Sequence, residues 1–221
     1  MDDVQSRGGL NASAVQERDN DSYLPAWRCM LPTLCGKQVV LRELRASDAA
    51  SLFSLLTTAE VRRFMYEPPA SVEGFERFIA WTHRQRSEGR GACFAVTLAG
   101  FDTAIGIFQV RGTEPGFLVA DWGFALGSPF WGTGVFREGA ELILQFIFET
   151  LRVHRLEAVA AVRNGRANRA LLKVGAVQEG LLRRSLLCKG DYLDEALYAI
   201  LGDDYRASRQ HSKPGDCLIV H

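Results

Sequence analysis

ADWGFALGSPFWGTGVFREGAELILQFIFETLRVHRLEAVAAVRNGRANRALLKVGAVQEG, residues 120–180, decides the fold of this 221-residue chain. It opens inside a strand-like run, 117–126, rich in aromatic and branched residues. A glycine-rich turn leads into residues 137–151, a helix apolar on most sides, which a sheet on one side and other elements on the other must cover. HRLEAVAAV, 154–162, is a strand. Asn164 to Val174 is a short helix, stopped by Gly175 as the residue after its C-cap. Strand, turn, helix, strand and helix in that order predict an α/β arrangement.

Upstream, KQVVLREL, 37–44, predicts a strand. Ser47 and Asp48 offer an N-cap to a helix carrying Leu52, Phe53, Leu55 and Leu56. Glu67, Pro68 and Pro69 break the chain; Ser71 then caps a helix with Val72, Phe75, Phe78, Ile79 and Thr82 on one face. Runs at 92–98, 104–110 and 117–126, separated by Gly100, Gly112 and Gly116, read as antiparallel hairpins. Downstream, strands over 176–188 and 192–201 are joined by the turn Lys189-Gly190-Asp191. The fold class is α/β (α+β) with a mixed sheet. Residues 1–32 read as a disordered extension, or as a strap or dimer arm anchored by Trp27; 33–205 form one domain and 206–221 a second tail.

The composition excludes several classes. At 47% hydrophobic residues the chain is not disordered throughout, and 21 Gly with 7 Pro in no fixed period exclude collagen-like arrays. Lys plus Arg and Asp plus Glu are both 26, so the basic excess of a phosphate-contacting nucleic-acid binder is missing, and no direct nucleic-acid binding is expected. Charges interrupt every apolar stretch well before about 18 residues, so no membrane span is predicted. The start lacks a basic region followed by an apolar run, and five Cys show no CxxC; the chain reads as a cytoplasmic, reduced protein. His83, His154, His211 and His221 have no ligand spacing, and no metal is expected. Cys93, Cys188, Trp81 and Trp122 read as packing groups.

The turn Trp131-Gly132-Thr133-Gly134 carries the first chemical signal. Glycines let the backbone bend and approach a ligand, and the following helix presents unpaired N–H groups at the positive end of its dipole. A phosphate or pyrophosphate is the natural guest, though such turns also serve as plain connectors. No GxxxxGK[ST] is present, and the dinucleotide pattern GxGxxG would need Gly where Arg137 stands.

Residues 120–180 together with LLRRSLLCKGDYLDEALYAIL, 181–201, resemble the GNAT N-acetyltransferase superfamily, and most closely its branch that acetylates ribosomal-protein N-termini. The resemblance covers roughly 34–205. It implies a splayed, mixed sheet of about seven strands that holds acetyl-coenzyme A, with no covalent enzyme intermediate. By that resemblance Phe124, Ala125 and Leu126 pair with the pantetheine arm through their backbone. Trp131, Gly132, Thr133, Gly134, Val135, Phe136 and Arg137 cradle the pyrophosphate; Phe136 stands where the pattern has Gly or Ala, its ring either crowding the cradle or turning into the core. Asn164 would bond the pantetheine arm, with an N-cap as its other reading, and Asn168 and Arg169 complete the cofactor set. Arg166 either meets a coenzyme phosphate or belongs to a solvated face.

Acyl transfer to an amine needs a base, and Asp121 is the candidate, standing where the branch commonly has Glu. Burial there would raise its pKa, and its shorter side chain favours a water relay. The Leu126 N–H is the candidate donor to the carbonyl oxygen. Leu171 and Ala167 occupy positions where relatives carry Tyr or Ser, so the proton donor to the leaving thiolate falls to Ser128, Tyr192 or water. Tyr66, Glu67 and Tyr192 border the acceptor groove by the same resemblance. The acceptor expected is a primary amine, on a protein N-terminus or a small molecule, and a homodimer is left open. A catalytically silent acyl-CoA-binding protein and a nucleotide-binding oxidoreductase are the rival readings.

Overall fold

A computed structural model describes residues 25–211. Among the described residues, eight strands form one sheet in the order β1-β2-β3-β4-β5-β6-β8-β7. They are β1 (Leu34–Cys35), β2 (Val39–Glu43), β3 (Gly91–Leu98), β4 (Gly106–Gly112), β5 (Val119–Leu126), β6 (Arg155–Ala161), β7 (Val177–Cys188) and β8 (Asp191–Leu201). Every neighbouring pair is antiparallel except β5 and β6. The mixed sheet is therefore as expected, with eight strands in place of about seven. The extra strand, β1, has two residues, too few to show any period.

Helices cover both faces. They are α1 (Ala26–Cys29), α2 (Ala49–Leu56), α3 (Val72–Ser87), α4 (Val135–Gln145), α5 (Gly165–Lys173) and α6 (Gly202–His211). On β3, Phe94 and Val96 pack with Val135, Ala140 and Ile143 of α4. The alternate residues Cys93 and Ala95 pack with Leu52 and Leu56 of α2 and Phe75 and Ile79 of α3. Burial on both faces explains why β3 is apolar from Gly91 to Val96. Gly139 lets α4 lie close to the sheet, because a Cβ there would stand 2.6 Å from the Phe108 ring.

The long helix expected over 137–151 begins earlier, at Val135, and its last turn, Phe146–Thr150, is a π-turn. The wider turn places three consecutive apolar residues, Phe146, Ile147 and Phe148, in the core together. At the N-terminal side the described body begins before Leu34. Trp27 on α1 is buried and meets Phe117 edge-on at 5.6 Å, and Leu31 is buried with it. The remainder of the expected extension, residues 1–24, lies outside the described residues, as does the tail from 212. Residues 206–211 of that tail continue α6, whose Tyr205 stacks on Phe148 at 4.6 Å. No helix among the described residues is long and apolar enough to cross a membrane.

Candidate active site

The parallel pair β5 and β6 is joined only at its beginning: Val119 pairs with Arg155, Ala120 with Leu156 and Asp121 with Glu157. Beyond Asp121 the two strands part, while β4 follows β5 to Leu126 and β8 follows β6 to Ala161. Residues 122–126 thus keep a backbone edge without a strand partner, facing a wedge. An edge of that kind accepts an extended chain by strand-like pairing. Ala120 and Trp122 face α4, so Asp121 faces the opposite side by strand alternation.

The chain leaves β5 through a short 3₁₀ turn, Ser128–Phe130, and reaches the glycines. Gly132 and Gly134 have φ of +78° and +91°, values that L side chains rarely adopt. Gly134 is the N-cap of α4 and no side chain caps that helix. A Cβ on Gly132 would meet nothing within 4 Å. The first N–H groups of α4 have no partner within the helix, and the helix dipole favours an anion there.

Two side chains fix this turn. The Trp131 indole Nε1 donates to the Leu126 carbonyl (2.9 Å), tying the turn to the end of β5. Glu138, one turn into α4, accepts from the backbone N–H of Lys37 and from that of Gln38 (3.0 Å), which pins the β1–β2 turn against the helix start. Arg166, from α5, lays its guanidinium over the Trp131 ring at 3.5 Å. The Phe136 ring turns into the core, 4.5 Å from the Phe124 ring and 5.9 Å from that of Phe108.

Asp121 occupies the apex of the wedge. Its side chain is 37% exposed, so the burial expected for it is not present. Arg111 grips it with two bonds, Nε to Oδ1 (3.1 Å) and Nη2 to Oδ2 (2.8 Å), and the carboxylate in turn raises the pKa of that guanidinium. Glu157, its neighbour on β6, accepts from Arg155 (2.7 Å), which also forks onto Glu179 of β7. Two like charges sit side by side on adjacent strands, each with its own arginine.

The α5 residues divide. Asn164 is the N-cap of α5, its Oδ1 accepting from the Ala167 N–H (3.1 Å). Asn168 is an internal brace: Nδ2 donates to the carbonyls of Ala161 (3.0 Å) and Asn164 (2.8 Å), and Oδ1 accepts from the Tyr198 hydroxyl (2.8 Å). Those bonds occupy the side chain expected to hold cofactor. Arg169 is exposed on the same helix, and Arg137 is turned along α4 to Glu141 (3.1 Å). Leu171 is fully buried and Ala167 is half-buried, so neither position donates a proton.

Opposite the α4 face, the loop after α2 meets the β7–β8 hairpin. Phe64 and Leu193 pack with Ala161, Leu186 and Cys188, and the Cys188 thiol lies 3.3 Å from the Arg63 carbonyl. Tyr66 (64% exposed), Glu67 and Tyr192 (61% exposed) project from these two elements. The open recess lined by Leu181, Leu182, Arg183, Arg184 and Asp194 belongs to the hairpin. Sequence reasoning passed over Arg111, Glu138 and the buried Glu195; a carboxylate among Leu193, Leu197 and Ala199 on one strand face was the available signal for the last. Among the described residues no group of His, Cys, Asp and Glu is placed to hold a metal ion.

Comparison with known proteins gives the same frame. Residues 38–177 match the sequence profile described as "Acetyltransferase (GNAT) domain". The chain is 26% identical over 178 residues to an N-acetyltransferase, p20, of Bacillus licheniformis, covering 79% of this chain and 99% of that one. It is 26% identical over 183 residues to spermidine N(1)-acetyltransferase of Escherichia coli (strain K12), covering 82% and 94%. Among solved structures, RimJ of Mycobacterium smegmatis in complex with CoA-disulfide superposes with a TM-score of 0.70 at 23% identity, covering 80% and 95%. Ribosomal-protein-S5-alanine acetyltransferase of Vibrio fischeri gives 0.71 at 19%, covering 79% and 98%; at these identities the two structures show a shared fold. A sheet that parts beside a glycine-opened helix, inside a profile match over most of the chain, makes this protein a member of the GNAT acetyltransferase family.

Proposed function

We propose that this acetyltransferase moves the acetyl group of acetyl-coenzyme A to a primary amine, by direct attack while both substrates are bound. The observation that carries the reading is the free edge of β5 leading, through a short 3₁₀ turn, to an uncapped, glycine-opened helix start. A linear ligand with amides at one end and a diphosphate at the other matches that sequence of features. The backbone of Phe124, Ala125 and Leu126 would take the pantetheine amides, and the N–H groups of Val135, Phe136 and Arg137 the diphosphate. Arg166 and Arg169 stand exposed on α5, and the Asn164 amide group has donors beyond its cap bond. Acetyl-coenzyme A supplies an activated acyl carbon as a thioester.

The chain's own residues manage protons and charge. The amine nitrogen forms a bond to the acyl carbon as the carbon–sulfur bond breaks; the amine gives up a proton and the thiolate gains one. Asp121, open to water and steadied by Arg111, receives the amine proton through a relay water. The Leu126 N–H, next to a carbonyl held by Trp131, supports charge on the acyl oxygen. The thiolate takes its proton from Ser128, Tyr192 or solvent. The acetyltransferase relatives, one named for spermidine, support an amine acceptor. Free thiols at Cys29, Cys35, Cys93 and Cys188 suit a reducing, cytoplasmic setting.

The second reading, a silent acyl-CoA-binding protein, draws on the missing donors at Ala167 and Leu171. Release of free thiol from acetyl-coenzyme A, measured with polyamines, aminoglycosides and N-terminal peptides, separates the two. Turnover above the amine-free rate is expected with at least one class. Tight coenzyme A binding without thiol release across the panel would establish the silent reading.

A further inference from the structure

Glu195 is the exception among the buried charges. Of the described residues, the buried charged side chains are Arg42, Asp48 and Glu195. Arg42 and Asp48 pair with each other at 2.8 Å. Glu195, only 5% exposed, has no ion pair among the described residues. Among the described residues its hydrogen-bond partner is the Ser185 hydroxyl, 2.8 Å from Oε2. A carboxylate withdrawn from water without a cation is costly, and proteins hold such groups where a ligand completes them.

The backbone is arranged to make this contact. Leu182 pairs with Glu195 and Leu186 with Leu193, so Arg183, Arg184 and Ser185 bulge opposite the single residue Asp194. Arg184 adopts φ of +53°, and the Asp194 carboxylate holds the Arg184 N–H (2.8 Å). The bulge turns Ser185 onto Glu195, the use that bulges beside active sites commonly serve.

Position supplies the function. Ala196, Tyr198 and Ile200 face α4 and α5, so Glu195 faces the other way, the side to which Asp121 points. Glu195 pairs with Ala161, four residues beyond Glu157, and Glu157 pairs with Asp121. It therefore lies on β8, one strand beyond the β6 side of the wedge, on the face of the sheet to which Asp121 points. Beside it on that face are Leu197, Val159 (45% exposed) and Leu182 (39% exposed), an apolar surface without a covering element.

Resting on the reading of the wedge as an N-acetyltransferase site, we infer that Glu195 receives a positive charge that the acceptor carries apart from the nitrogen that is acetylated. The acceptor class is then an alkylammonium compound, whose apolar part lies on Val159, Leu197 and Leu182.

The probe is n-hexylamine, with n-hexanol as its neutral counterpart, titrated calorimetrically with and without coenzyme A. Wild type is expected to bind the amine at least tenfold more tightly than the alcohol. Glu195→Gln, which keeps the shape and the bond from Ser185, is expected to lose that preference, with Glu195→Asp recovering part of it. In turnover of 1,6-diaminohexane, whose second nitrogen stays charged, Glu195→Gln should lower kcat/KM at least tenfold through KM, with coenzyme A affinity unchanged. Ser185→Ala, which leaves the carboxylate in place, should weaken the amine a few-fold and serves if Glu195→Gln does not fold. Equal amine affinity in wild type and the variants, or no preference of wild type for the amine, overturns the inference. Glu195-dependent amine binding without any coenzyme A binding would sustain it and sink the transferase reading instead.

Discussion

At the scale of single residues, Asp121 and Arg111 decide how the base works. A carboxylate forked onto a guanidinium and open to water would take the amine proton through a neighbouring water. Asp121→Ala is expected to lower kcat at least about tenfold with little change in coenzyme A affinity. Unchanged kcat in steady-state assays would remove Asp121 from the chemistry. The candidate position was legible in the sequence because it lies five residues before the end of a strand that runs into the glycine turn. Its partner was not, since Arg111 comes from a different strand whose register only the folded sheet reveals. Glu195 escaped for the same reason: its burial, at 5% exposed, arises only in the folded sheet.

At the scale of elements, α5 is positioned by polar bonds as much as by its apolar face. Asn168 joins the last turn of β6, the first turn of α5 and Tyr198 on β8 through one side chain. Asn168→Ala would leave the Tyr198 hydroxyl, on a residue 2% exposed, short of a partner and take a second donor from two carbonyls that backbone N–H groups still meet. A loss of about 2 kcal/mol is expected, read from urea unfolding midpoints; a change under about 0.5 kcal/mol would show the brace to be incidental. Strands and helices with a full period, such as α3 and β3, were readable from spacing alone. The π-turn and the two-residue β1 were not, because tertiary packing rather than local pattern creates them.

At the scale of the whole molecule, ion pairs knit distant segments. Arg42 of β2 binds Asp48 before α2 and Asp102 between β3 and β4; Arg155 of β6 binds Glu179 of β7. The bond from Arg42 holds the Asp102 carboxyl below its ordinary range, and the bond from Arg155 does the same for Glu179. A carboxyl lowered on folding contributes stability above its unfolded pKa of about 4, lost as pH falls through the lower folded value. Asp102→Asn and Glu179→Gln should therefore lower the urea midpoint at pH 7, with the gap to wild type closing below about pH 4; a gap independent of pH would contradict the linkage. The broad frame, an α/β sheet opening beside a glycine turn, was visible before the structure because the residues that build the wedge are contiguous, 120–180. The measurement that bears most directly on the central claim is calorimetric titration of coenzyme A into wild type and Gly134→Val. At φ of +91°, with Gln38 Nε2 already 3.1 Å from a Cβ, valine must distort the start of α4. Binding by wild type and at least a tenfold weaker affinity in the variant are predicted. Equal affinity in the two proteins, or no binding by wild type, would contradict the assignment of the wedge and its helix start to coenzyme A.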